Sequence, residues 1–150
     1  MLRIGEPVRK KIKYSYRPGI YGIILVGKNI LLTEQNGNEF QLPGGGIDKG
    51  EHHIHALIRE VYEETGWKIK PERRLGVFQR YVYMPEYSKW AHKISHIYYC
   101  KGIYQISLPT EKGHIALITS PERAVKLIES PGDRFFVRQF FGLRSLPQSF

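Results

Sequence analysis

The sequence predicts an α/β (α+β) fold, a mixed central sheet held between helices. Short runs rich in β-branched and aromatic residues recur between polar turns along most of the chain. Residues 52–65 have the periodicity of one amphipathic helix. The last third carries two helix-start signals, Ser120-Pro121 and Pro131-Gly132-Asp133. Strands first, an internal helix, then terminal helices fit a layered sandwich.

Taken in order, residues 1–18 form a basic arm, with six basic residues against Glu6 over the first 19 positions. They are expected as an irregular segment or edge strand. Residues 20–26 read as a buried strand, Gly27-Lys28-Asn29 as a turn, and residues 30–35 as a second strand. Asn36-Gly37 marks a loop, residues 40–42 a short strand, and Gly44-Gly45-Gly46 a turn. After the helix, residues 68–74 are expected as a polar connection containing Pro71 and residues 75–82 as a strand. Residues 84–93 then read as a loop, 94–104 as a long strand and 114–119 as another. Ser120 caps a helix burying Ala124, Leu127 and Ile128. Asp133 caps a final helix with the stripe Phe136, Val137, Phe140 and Phe141.

Composition sets the class. A chain of 150 residues with 41% hydrophobic and 25% charged residues suits a single soluble domain, 1–150. It contains no apolar run of membrane-spanning length, and the basic first residues lead into no apolar stretch of a secretory signal. Cys100 stands alone, which fits a reducing, cytoplasmic setting, and it is expected to pack as a small apolar residue.

The chemistry is concentrated at residues 45–67. At about 100° per residue, Glu60, Glu63 and Glu64 share an arc of roughly 100°. Ile54, Leu57, Ile58, Val61 and Thr65 take the neighbouring, core-facing arc, and Gly66 supplies a left-handed terminator. Like charges at i and i+4 weaken a helix. A hard divalent cation bound by carboxylate oxygens removes that conflict, and magnesium is the usual one beside phosphates. Residues 48–64 hold five acids (Asp48, Glu51, Glu60, Glu63, Glu64) and two bases (Lys49, Arg59), a local charge of −3 within a chain of net +9. An acidic focus in a basic shell suits a cation centre that receives a polyanion. Nucleic-acid binding by the basic surface is the competing account, but no nucleic-acid motif is present. His52, His53 and His55 do not read as a zinc site: His52 and His53 are adjacent, and no cysteine lies near.

The order Gly45, five residues, Glu51, seven residues, Arg59-Glu60-Val61, one residue, Glu63-Glu64, one residue, Gly66 and bulky Trp67 resembles the Nudix box of the Nudix (MutT-like) hydrolases. The one mild departure is Trp67, where the family more often has a branched aliphatic residue. The resemblance implies an α/β/α sandwich and a Mg2+-dependent (Mn2+ is an alternative) hydrolase. Such an enzyme splits the diphosphate linkage of a nucleoside diphosphate attached to another group. It implies Glu60 and Glu64 as primary metal ligands, Glu63 sharing the metal or the water, and a carbonyl at Gly44 or Gly45 completing the shell. Arg59 would hold a box carboxylate in place, and Glu51 would orient Arg59 or ligate a second metal.

For the general base, Glu111 is best placed and Glu86 second; Glu63 or Glu64 could serve instead. Relatives often have Glu directly after the position of His114, where this chain has Ile115. Gly45 and Gly46 are expected to approach the substrate, with Tyr83 and Trp90 (and Tyr21 and Tyr87) as rings that could stack on a base. The Gly-Gly-Gly turn departs from the Pro-Gln-Gly-Gly form of dinucleoside-polyphosphate and RNA 5′-end hydrolases. Nucleoside triphosphates, oxidised nucleotides and nucleotide sugars stay open. The alternatives are a non-catalytic Nudix-fold nucleotide-binding or regulatory module, and an isoprenoid diphosphate isomerase, which would need a catalytic cysteine. A nucleotide-type small molecule is the expected partner, and a homodimer is expected from the family.

Overall fold

The computed structural model describes residues 1–143. Its strands are β1 (Leu2–Arg3), β2 (Ser15–Val26), β3 (Asn29–Gln35), β4 (Glu39–Gln41), β5 (Gly44–Gly46), β6 (Trp67–Met84), β7 (Lys89–Gln105) and β8 (His114–Thr119). Its helices are α1 (His53–Thr65), α2 (Pro121–Leu127) and α3 (Pro131–Phe141). The sheet runs β1-β6-β7-β2-β3-β4, with β5 added on β2 and β8 on β3. It is mixed: β2 and β7 run parallel from Ser15 opposite Ala91 to Leu25 opposite Lys101, while β6 and β7 form a long antiparallel hairpin.

Successive side chains of a strand point to opposite faces. In β2, Ile20 and Ile24 face one way and pack with Leu31 against Ala56, Leu57 and Val61 of α1. Ile23 faces the other way and joins Ile30, Leu32, Phe78 and Ile97 against Ala124, Val125, Phe136 and Val137 of α2 and α3. β2 is therefore buried on both faces, which is why it reads as an unbroken apolar run. Each fully buried Ile or Leu contributes roughly 1.5–3 kcal/mol. The result is the expected α/β/α sandwich, in which the acidic helix is alone on its side among the described residues.

Several local expectations are corrected. Residues 68–74 are not a connection: β6 begins at Trp67. Its pairing with β7 is broken by irregularities between Pro71 and Arg73 and between Arg74 and Gly76, and Pro71 sits at the first of these. Proline is tolerated at such bulges because the ladder already lacks a bond there. Residues 84–93 are not an open loop but a hairpin end, a single turn at Pro85–Tyr87 followed by β7. The arm is shorter than 1–18, because Ser15 already belongs to β2 and Leu2–Arg3 pairs with β6. Gly44–Gly46 is a strand paired with Gly19, Ile20 and Tyr21, not a free turn. Ile58 is 40% exposed while Ala56 is fully buried, so the buried face of α1 is turned toward Ala56 and Glu64. In α2, Val125 is buried together with Ala124 and Ile128. The cap of α3 is Ser130, whose hydroxyl accepts from the Asp133 amide.

Candidate functional site

α1 starts where the His52 side chain accepts the Ile54 amide and stops at Gly66, whose φ is 75°. A Cβ at Gly66 would lie 1.8 Å from the Ser107 carbonyl oxygen, so glycine is required by both backbone and space. The loop between β7 and β8 folds onto this helix end. The Ile106 and Ser107 amides donate to the Gly66 carbonyl, and those of Thr110 and Glu111 donate to the Glu63 carbonyl. Unsatisfied helix carbonyls thus anchor the loop and bring Glu111 beside Glu63.

The acidic side chains converge. Oxygens of Glu60, Glu63 and Glu111 lie within 4.8 Å of one another, as do ligand atoms of Glu64, Glu111 and His114. Glu64 is buried and accepts the Gly44 amide at 2.9 Å. Glu60 lies against β5 so closely that a Cβ on Gly45 would sit 2.5 Å from its carboxylate. Gly45 therefore has to lack a side chain for α1 and β5 to close. Of the backbone groups here, the Gly45 carbonyl is turned toward Gly19 of β2 and the Gly46 carbonyl accepts from Arg59.

Arg59 is the one lysine or arginine in contact with these acids among the described residues. It meets Glu51 with two bonds, Nε to Oε2 at 2.8 Å and an Nη to Oε1 at 2.9 Å, and reaches Glu60 at 2.9 Å and Glu63 at 3.4 Å. The Glu51 carboxylate also accepts the Asp48 amide. The Arg59 bonds hold Glu51 down at about 2, and Glu51 in turn raises the Arg59 guanidinium. Glu51 is thus placed on Arg59. Arg59 does not contact Glu64. Burial, reinforced by the neighbouring carboxylates Glu60, Glu111 and Glu63, pushes Glu64 up to about 9 against the help of the Gly44 amide. Glu60 is raised as well, by burial first.

His114 was not singled out by sequence. Its imidazole is almost fully buried, with Nδ1 2.9 Å from the Thr33 hydroxyl and 3.7 Å from Glu64, and Nε2 3.7 Å from Glu111. Thr33 and His114 meet because β3 and β8 are paired, a contact 81 residues apart in sequence. The available signal was a lone histidine opening a strand just after Glu111. Ile115, its neighbour, is 59% exposed.

The aromatic candidates lie elsewhere. Tyr83 and Trp90 face each other across the β6–β7 hairpin at 5.3 Å, with Arg9 5.0 Å over Trp90. They line a 450 Å³ cavity with Gly5, Glu6 and Arg9, to which the residues of the acidic cluster do not contribute. Tyr87, under Arg17, shares a 200 Å³ cleft with Tyr21, Lys93 and Gly46. Glu86 sits in the exposed turn after β6. Cys100 is buried in the core under α1, where burial pushes its thiol up to about 12.

The donor set suits a divalent cation. It is oxygen-rich, it gathers several carboxylates around one arginine, and its most buried member meets no lysine or arginine, only the His114 imidazole at 3.7 Å. No helix among the described residues is long and apolar enough to cross a membrane.

An acidic helix on one side of a mixed sheet, its carboxylates closed against a glycine strand, defines a recognisable class. The chain belongs to the Nudix family: the NUDIX domain model matches residues 15–140. It is 47% identical over 51 residues to an RNA pyrophosphohydrolase of Brucella anthropi, covering 31% of this chain and 29% of that protein. A putative 8-oxo-dGTP diphosphatase of Bacillus subtilis is 36% identical over 73 residues, 47% of this chain and 49% of the relative. An ADP-ribose pyrophosphatase of Methanocaldococcus jannaschii is 34% identical over 95 residues, 59% and 54%. These matches span between about a third and about half of the relatives' lengths. A NUDIX hydrolase structure from Nitrosomonas europaea superposes with TM-score 0.70 at 18% identity, covering 85% of this chain and 90% of that one, a likeness of fold.

Proposed function

We propose that this chain is a Mg2+-dependent hydrolase of the diphosphate linkage in a nucleoside diphosphate joined to another group. The observation that carries this reading is the convergence of Glu60, Glu63, Glu64 and Glu111 around a space that Arg59 borders but does not neutralise. An acidic surface helix would spread these charges or pair them; here the most buried one meets no lysine or arginine, only the His114 imidazole at 3.7 Å.

Glu60, Glu63 and Glu64 would hold the cation, with Gly44 at the glycine strand and Glu51 acting through Arg59. The cation supplies charge neutralisation and polarisation of the phosphate oxygens when bound. Arg59 sets the geometry of the acids: its fork is fixed on Glu51, so its remaining donors hold Glu60 and Glu63 at defined positions. The Gly44 amide fixes one oxygen of Glu64 and leaves the other directed toward His114. Glu111, 46% exposed at its side chain, takes the proton as water oxygen bonds to phosphorus and the bridging P–O bond breaks toward the leaving phosphate. His114, held by Thr33, keeps Glu111 in place. The phosphate run lies along Gly45 and Gly46.

A panel of nucleoside triphosphates, oxidised nucleotides and nucleotide sugars with Mg2+, scored by phosphate and pyrophosphate release, tests the proposal. Glu64→Gln should lower turnover by at least about a hundredfold. Unchanged turnover in that variant, or none with any compound in the wild type, refutes it.

A further inference from the structure

The basic arm and the rings of the β6–β7 hairpin take no part in the acidic cluster. Residues 1–19 and 80–93 hold nine lysines and arginines and two acids, Glu6 and Glu86, so these two stretches carry +7 of the net +9. Strand pairing brings them together. Tyr16 of β2 and Tyr81 of β6 both stand opposite His92 of β7, and Tyr83 stands opposite Trp90. Tyr16 and His92 lie an even number of residues from Ile20 and Cys100, which pack under α1, so the rings share that face of the sheet.

Six rings follow one another in contact. Tyr16 meets His92 at 6.0 Å, His92 meets Tyr81 at 4.5 Å with planes 4° apart, and Tyr81 meets Tyr14 at 4.9 Å. Tyr14 meets Trp90 at 6.2 Å, and Trp90 meets Tyr83 at 5.3 Å. The two ends of the row are open: Tyr16 is 66% exposed and Tyr83 43%. The row also fixes the arm. Arg9 lies 5.0 Å over the Trp90 ring, and its amide donates to the Tyr14 hydroxyl at 3.1 Å. Lys10, Lys11 and Lys13 sit exposed between these two anchors, and Lys89 is exposed beside Trp90. None of these four lysines meets a carboxylate within 4.0 Å among the described residues, whereas Arg9 is paired with Glu6.

We propose that this surface binds a single-stranded polynucleotide, with bases on the Tyr16 and Tyr83 rings and phosphates along Lys10, Lys11, Lys13 and Lys89. The strand is a tethering partner rather than the compound that is cleaved, so the inference goes beyond the hydrolase reading and does not need it.

The chemistry of the surface selects this partner. Unpaired lysines attract any polyanion, and the rings decide among polyanions. A base of any identity stacks on an aromatic face, provided it is not already stacked in a duplex. Rings locked by neighbouring rings offer faces to bases but cannot leave the sheet to enter a lipid layer. Between arm and hairpin, the 450 Å³ cavity walled by Arg9, Tyr83 and Trp90 has room for a base beside Tyr83. No motif announces the surface in the sequence, because its rings come from two distant stretches joined only by strand pairing.

Fluorescence anisotropy of labelled oligouridylate and oligothymidylate of about twelve nucleotides tests the proposal. Both strands end in a 5′-hydroxyl and so contain no diphosphate to hydrolyse. The logarithm of the wild-type affinity is expected to fall against log salt with a slope of about −2 to −3, the release expected when about four phosphates are met. Tyr16→Ala combined with Tyr83→Ala should weaken binding at least about tenfold at an unchanged slope. Lys10→Ala, Lys11→Ala and Lys13→Ala combined should flatten the slope by about 2. All five side chains are exposed, so both variants keep the fold. Binding of either strand with these two effects supports the proposal, and the tighter strand identifies the source as RNA or DNA. No binding of either strand up to about 100 µM protein overturns it. Equal affinity for a duplex of the same length, or full affinity in the tyrosine variant, also overturns it, since charge attraction alone would then remain. Phosphatidylserine vesicles that bind through the rings while neither strand binds assign the surface to a membrane and overturn it too. Hydrolysis of the small-nucleotide panel is read separately, so failure of either test leaves the other reading standing.

Discussion

The Gly44 amide donates to Glu64 Oε1 at 2.9 Å, joining the glycine strand to the acidic helix at the most buried carboxylate of the site. The backbone of Gly44 is also special: its φ is +148°, and a Cβ there would sit 2.1 Å from the Ile20 carbonyl oxygen. Gly44→Ala should therefore destabilise the fold by at least about 2 kcal/mol, combining backbone strain with a forced shift of β5 from β2. Because that shift also moves the amide from Glu64, turnover should fall more than the folded fraction does. Urea denaturation and turnover per folded molecule measure the two. A loss of stability below about 0.5 kcal/mol contradicts the geometry.

Glu64 is expected to be protonated near neutral pH in the cation-free protein, because burial pushes it up to about 9 from an ordinary value of 4.5. A cation requires the ionised form, so Mg2+ binding at pH 7.5 should expel close to one proton. Titration calorimetry in HEPES and in Tris reads this as a difference in apparent enthalpy. The release should fade above about pH 9, where the proton has already left, and vanish in Glu64→Gln. The sign for stability follows. Between 4.5 and about 9 the folded chain holds a proton that the unfolded chain has lost, so this group's contribution to stability falls as pH rises over that interval and levels off above about 9, and cation-free Glu64→Gln should escape that decline. Identical binding enthalpies in both buffers refute the assignment.

Arg59 grips Glu51 through two parallel bonds and spends further donors on Glu60 and Glu63. A lysine supplies the charge but not the fork. Arg59→Lys should lower turnover about tenfold to a hundredfold, nearly as much as Arg59→Ala, because the positions of Glu60 and Glu63 are lost in both. Full rescue by lysine would show that charge alone suffices.

Much of this site was legible because it is local. Helical periodicity alone places Glu60, Glu63 and Glu64 on one arc, and Gly66 marks the end of α1. The unreadable part is long-range. His114 reaches Glu64 only through the pairing of β8 with β3, and Glu111, though named as a base from the family resemblance, reaches Glu63 only because helix-end carbonyls capture its loop. The start of β6 was hidden for another reason. Residues such as Lys68, Lys70 and Arg73 are exposed there, and the bulges around Pro71 and Gly76 break the period-two pattern. Asp133 reads from sequence as a helix cap, yet Ser130 takes that position and Asp133 lines a 220 Å³ cavity with Tyr21 and Lys93.

Asp133 supplies a pH signature. Burial pushes its carboxyl up to about 6 from 3.8, against the pull of Lys93 on β7, the Leu42 amide, Arg80 on β6 and its neighbour Arg134. Between those two values the folded chain holds more protons than the unfolded one, so this group's contribution to stability falls as pH rises from about 4 to about 6. Two pKa units correspond to at most about 3 kcal/mol. Asp133→Asn cannot titrate, so the stability of the wild type relative to this variant should decline over that interval and level off above about pH 7. Denaturation curves at four pH values measure it, and a rising or flat difference contradicts the assignment.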